Sequence, residues 1–126
     1  METDIPDPRQ YVKRLLELYR HTPGTLGRVR REDRRLASEF QDRGVPMSTI
    51  EAAFLLATAR RYLRAPDARP LSPVRSLHYF VPVIEELLAN PLPDGYVEYL
   101  KGKIKRIKAA HETAVQKHRN PRLITG

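Results

Sequence analysis

The sequence predicts an all-α protein: a single-domain bundle of about five helices, built around an apolar third helix and closed by a long basic one. Three observations carry this. Apolar residues recur three and four apart in every long segment, the spacing of one helix face. Clusters of proline and glycine separate those segments at His21–Gly24, Gly44–Pro46, Ala65–Pro73 and Asn90–Gly95. No stretch of useful length alternates with the period of two that marks a half-buried strand, and no internal repeat is visible. A chain of 126 residues suits one core,. The domain is expected over residues 1–118, followed by a flexible basic tail, 119–126.

The first helix is predicted over Pro8–Arg20. Asp7 is a suitable cap, Pro8 fits the first helical position and Gln10 stands where a capping box places a glutamine. Tyr11, Val12, Leu15, Leu16, Leu18 and Tyr19 form its apolar face, and His21-Thr-Pro-Gly24 ends it,. A second helix is predicted from Leu26 to Arg43, with Leu26, Val29, Leu36, Ala37 and Phe40 on one stripe and Gly44 as terminator,.

The third starts near Pro46 or Ser48, where Ser48-x-x-Glu51 reads as a capping box, and runs to about Leu63. Ile50, Ala52, Ala53, Phe54, Leu55, Leu56, Ala57 and Ala59 make it apolar nearly all round, so it belongs in the centre,. A fourth helix is expected to open with Ser72 as cap and Pro73 first. Pro82 then kinks it or, the favoured outcome, breaks it for a fresh start, with Glu85 and Glu86 suiting the new N-terminus. The fifth spans Tyr96–His118, with Val97, Leu100, Ile104, Ile107, His111 and Ala114 along one narrow seam.

Several function classes lack their residues. There is no cysteine, so neither a disulfide nor a thiolate metal site can form,. The four histidines stand apart; His111 and His118 are about 10.5 Å apart along a helix axis, too far to share a metal ion. Phosphate-binding glycine loops and a G-x-S-x-G nucleophile elbow are missing. No cofactor and no enzymatic activity are expected. The acidic start of the chain lacks the apolar core of a secretory signal, and no segment has the apolar length of a membrane span; a cytoplasmic location without membrane attachment is the expectation.

What remains is charge. The net charge is +8 and the isoelectric point about 10.1, a balance that favours anionic partners. The excess sits in two blocks. Residues 21–64 carry nine basic groups against five acids, and residues 101–126 carry eight against one. Arg28, Arg30, Arg31, Arg34 and Arg35 are five arginines within eight residues, diluted by Glu32 and Asp33. On the predicted helix, Arg28, Arg31 and Arg35 share a face, flanked by Arg30 and Arg34. Guanidinium groups grip phosphates bidentately, and a run of arginine rather than lysine suits that role. Against it stands the plain alternative of a solvated face part-neutralised by its two acids.

Arg60, Arg61 and Arg64 close the third helix and serve either its dipole or the same surface. Lys101, Lys103, Lys105, Arg106, Lys108, Lys117 and Arg119 flank the last seam as a phosphate-facing stripe or the polar side of a partner-binding helix,. Tyr79 and Tyr62 are candidate stacking groups. The stretch Leu36–Ile50 has the outline of a DNA-binding helix–turn–helix, but its second helix is too apolar to read base edges and suits a bundle hairpin better.

From Gly44-Val-Pro46 through Arg60-Arg61 to Val74-Arg-Ser-Leu-His-Tyr-Phe-Val-Pro-Val-Ile-Glu-Glu86, the chain resembles the C-terminal helical domain of DnaD-like primosomal proteins of plasmids, phages and mobile elements. Ser76, Leu77, Tyr79, Phe80, Ile84 and Leu87 carry the likeness, over about residues 44–87. The chain departs from that pattern in lacking a terminal tryptophan helix and in placing Pro82 inside the matching helix. The resemblance implies DNA binding, or bridging to a replication protein. Two readings follow: a non-enzymatic accessory protein that grips nucleic acid, DNA rather than RNA, through its backbone, and a protein–protein adaptor within a larger nucleoprotein complex.

Overall fold

The structure, a computed structural model, describes residues 8–63 and 71–119, with side chains at 9–63, 71–107 and 109. Asp7, Arg64 and residues 120–126 of the expected tail lie outside the described residues, while Arg119 ends the last helix. Five α-helices follow in order: α1 Pro8–Arg20, α2 Arg31–Asp42, α3 Met47–Tyr62, α4 Val81–Ala89 and α5 Tyr96–Arg119. A 3-10 turn, Leu77–Phe80, leads into α4. Among the described residues there is no strand, and no helix is long and apolar enough to cross a membrane.

The all-α bundle is as the sequence predicts, with α3 at its centre. Met47, Ile50, Ala52, Ala53, Phe54, Leu56, Ala57, Thr58 and Ala59 are all buried, and only a narrow edge through Ser48, Glu51 and Leu55 and the Arg60 end of α3 reach solvent. It packs on α5, α4, α1 and the 3-10 turn, while α2 packs chiefly on α1. The Leu36–Ile50 stretch is therefore not a tight hairpin of two facing helices. Aromatic rings join the layers. Phe80 from the 3-10 turn lies 4.6 Å from Phe54 on α3 and 6.1 Å, edge to face, from Tyr19 on α1.

Three expectations are corrected. The second helix starts at Arg31, not Leu26, because the chain before it is extended. Leu26 N–H donates to the Val74 carbonyl at 3.0 Å and Val74 N–H to the Gly24 carbonyl at 2.7 Å, a parallel bridge that a helix cannot make. Gly27, at φ +75°, bends this segment in a way that L side chains rarely allow,. Leu26 is consequently 41% exposed instead of lying on a core stripe.

The second correction concerns only the cap of α3: the helix begins at Met47 with Pro46 as cap residue, one of the two expected starts, so Ser48 falls inside the first turn and the Ser48–Glu51 capping box does not form. The third is at the fourth helix. Residues 71–76 are extended rather than helical, and the cap is Ser76, whose Oγ accepts from His78 N–H at 3.1 Å. Pro82 sits in the first turn of α4, where its missing amide is not needed; the break and fresh start occur as favoured,. Glu85 and Glu86 lie past the first turn and pair with arginines instead.

One hydrogen bond fixes α1 against the turn between α2 and α3: the buried Tyr11 hydroxyl donates to the Val45 carbonyl at 2.7 Å. Burial pushes the Tyr11 phenol up from 10.0 to about 12. The neutral form is thus favoured by folding, and this stability is complete below pH 10 and lost as pH rises towards 12. Tyr11→Phe removes the bond and leaves the Val45 carbonyl without that donor, at about 1–3 kcal/mol. Its melting temperature should fall by several degrees at pH 7, and its stability should decline less steeply between pH 10 and 12 than that of the unaltered chain. Phe54→Ala probes the centre. Truncating a buried phenylalanine costs about 3–5 kcal/mol, so its melting temperature should drop by about 10 °C or more, on a scale of about 3–6 °C per kcal/mol for this length.

Candidate nucleic-acid interface

The arginine-rich segment combines two backbone geometries. Arg28 and Arg30 stand on the extended lead-in, where exposure alternates: Leu26, Arg28 and Arg30 point out, while Gly27 and Val29 are half-buried. Arg31, Arg34 and Arg35 belong to the first turn and a half of α2, opposite a buried stripe of Asp33, Leu36, Ala37 and Phe40. All five arginines are exposed. Arg28 therefore does not share a helix face with Arg31 and Arg35; the cluster forms because an extended strand of chain runs straight into a helix.

Its two acids have separate fates. Glu32 is exposed, but Asp33 is fully buried. Its Oδ2 accepts from Arg30 N–H at 2.9 Å, closing the start of α2 from the third helical position. Its Oδ1 accepts from Leu77 N–H at 2.9 Å and from the Ser76 hydroxyl at 3.4 Å. The carboxylate is turned inward and spent on backbone donors, so it does not lie among the guanidiniums at the surface. The sequence shows an acid amid arginines and cannot show that it faces away. Its neighbour Tyr19 is buried with no partner for its hydroxyl, and its pKa is raised, first by burial and then by the nearby Asp33 charge, with Arg30 opposing.

The remaining predicted contacts divide. Arg60 makes a bidentate pair with Glu86, at 2.9 and 2.7 Å, and Arg43 does the same with Glu85, at 2.6 and 3.1 Å. These pairs strap α3 and the end of α2 to α4. Each raises its arginine's pKa and lowers its glutamate's, mainly through the hydrogen bonds. Both lie at the surface, where such pairs add little stability, but Arg60 is no longer a free cation. Arg61 is likewise engaged: its Nη2 donates to the Ser72 carbonyl at 3.1 Å and its guanidinium sits 5.6 Å from the Tyr79 ring centroid.

On α5, Lys101 is shared between Glu51 and Glu98, at 3.8 and 3.7 Å, and Lys103 lies over the Tyr99 ring. Lys105 and Arg106 are exposed; Lys108, Lys117 and Arg119 belong to α5, but their side chains are outside the described residues. Sequence reasoning missed two aromatic groups here. Tyr96 and Tyr99, one turn apart and exposed, place their rings 5.4 Å apart on the same flank as Lys103; i, i+3 spacing beside a lysine was the available signal. Tyr62 is half-buried, while Tyr79 is 45% exposed. Arg75, not singled out by the sequence, is exposed beside the bridge residue Val74.

No family model, curated protein or solved structure matches the chain. The surface itself has to be tested, beginning with its two acids. Asp33→Ala strands the Arg30 and Leu77 amides, and an unsatisfied buried donor costs about 1–3 kcal/mol. Its melting temperature should fall by at least about 6 °C, whereas Glu32→Gln, at an exposed position, should shift it by no more than about 2 °C. Equal shifts in a thermal melt would mean that Asp33 is not the buried anchor described.

Proposed function

We propose that this chain is a nucleic-acid-binding accessory protein that grips the phosphate backbone, DNA in preference to RNA, and carries out no reaction of its own. The observation that carries this reading is the cluster of five exposed arginines whose intervening Asp33 is buried and turned away. The cluster crowds the N-terminus of α2, where the helix dipole is already positive. Cations there oppose the helix, so stability does not account for them. A phosphate does, because it meets guanidinium forks and the positive end of the helix together. The apolar, buried α3 offers no base-reading helix, so contacts with the backbone should dominate and binding should be largely independent of sequence.

The likeness of residues 44–87 to DnaD-like domains adds a setting, the replication or mobility of a genetic element. The adaptor reading is less well supported, since Glu85 and Glu86, the acids it would use for docking, are held by Arg43 and Arg60.

Binding measured by fluorescence anisotropy on duplex and single-stranded oligonucleotides, at two salt concentrations, tests the proposal; no binding at low salt defeats it. Replacing Arg31, Arg34 and Arg35 together by Ala should preserve the helical circular dichroism and reduce the log–log salt slope on duplex by about 2.7, at 0.9 per phosphate lost. Arg60→Ala should leave that slope unchanged. An unaltered slope in the triple variant would place the binding surface elsewhere.

A further inference from the structure

The bridge between Thr25 and Val74 creates a second feature beside the arginine cluster. Between the extended segment 71–76 and the 3-10 turn lies an open groove of about 460 Å³, lined by Arg61, Leu71, Ser72, Arg75, Ser76 and Tyr79, among others. That volume falls within the roughly 300–1,000 Å³ of small-ligand sites. It adjoins the cluster directly, because Ser76 bonds Asp33 of α2 and Val74 is bonded to the lead-in that carries Arg28 and Arg30.

The aromatic group in this groove is held in place. Tyr79 meets the core ring of Phe80 edge to face, with centroids 5.2 Å apart and planes at 83°. Arg61 lies over its ring and approaches its hydroxyl, Nη1 to OH at 3.4 Å. The position of Arg61 is itself fixed by the Ser72 carbonyl, and Gly24 leaves it room: a Cβ there would come within 3.1 Å of Arg61 Nε. A large ring that is 45% exposed yet braced on two sides loses little freedom when a flat partner covers it,.

We propose, building on the backbone-gripping reading above, that this groove takes an unpaired nucleotide of a single strand. Its base stacks on the Tyr79–Arg61 pair, and the adjoining phosphates run past Arg75 to the cluster Arg28–Arg35. Base faces stack on aromatic and guanidinium planes without regard to base identity, which suits a protein with no base-reading helix. In a duplex the bases are stacked on one another and do not reach the ring, so the groove favours single strands over duplex.

The chain has no tryptophan, so Tyr79→Trp introduces a sole reporter at the site. Its fluorescence should be quenched on saturation with a 12-nucleotide oligo(dT), and not by a blunt-ended duplex or by thymidine monophosphate at the same nucleotide concentration. Tyr79→Ala should weaken oligo(dT) binding by roughly 5- to 150-fold, the loss of one stacked base, and leave duplex affinity unchanged, while Tyr79→Phe should restore single-strand affinity. Oligo(dT) binding by anisotropy without quenching, an equal loss on duplex, or quenching by the mononucleotide alone would each overturn the proposal. If Tyr79→Ala does not fold, the tryptophan signal decides. The two proposals fail differently: loss of all oligonucleotide binding in the unaltered chain removes the backbone-gripping reading, whereas salt-dependent binding that ignores Tyr79 removes only the stacking groove.

Discussion

The buried carboxylate of Asp33 is the joint on which this fold turns. It binds the Arg30 amide that opens α2 and the Leu77 amide that opens the 3-10 turn, the latter 44 residues further along the sequence than Asp33 itself. A buried carboxylate without hydrogen-bond donors would be strongly unfavourable; here two backbone N–H groups and a hydroxyl receive it. The arrangement explains several otherwise separate features. The segment before α2 is held extended by the Leu26 amide on the Val74 carbonyl and the Arg30 amide on Asp33, and the 71–77 segment in turn is fixed before it enters α4. Phe80 is thereby delivered into the core between Tyr19 and Phe54, so one polar contact sets the register of an aromatic cluster.

The same contact shapes the surface charge. With Asp33 withdrawn, five arginines face solvent with Glu32 as the acid left among them, at the end of a helix whose dipole already repels them. Some of the other charges hold the architecture together. Glu85 and Glu86, adjacent in sequence, diverge around α4 and clasp arginines from two other elements. Positive charge is therefore spread widely over the sequence but, among the described residues, left without an acidic partner at fewer positions, which include the α2 approach, Lys13, Arg14 and Arg20 on α1, Arg75, and the outer flank of α5. Electrostatic character on a folded chain follows from which ions are already paired, more than from how many there are.

The sequence was legible wherever the information was local. Helical periodicity, Pro8 at a first helical position and the proline–glycine turn at 90–95 placed α1 and the start of α5 closely, and the all-round apolar pattern placed α3 at the centre. Pro82 announced a restart. Misreadings arose where a distant partner overrode a plausible local pattern. Ser72-Pro73 and Ser48-x-x-Glu51 are reasonable caps, yet Ser76 and Pro46 hold the cap positions. Arg60 and Arg61 looked like free cations because their partners, Glu86, Ser72 and Tyr79, lie 11 to 26 residues away.

By itself, then, the sequence determined the class of fold, the central helix and the excess of positive charge, since spacing, capping and composition are properties of neighbouring residues. Only the tertiary structure decided which of those charges remain free, that Arg28 leaves the helix face, and that Tyr79 borders a groove next to the arginines. Those outcomes depend on the pairing of segments 24–33 and 72–77, and no local propensity specifies which backbone amides a single buried carboxylate will choose.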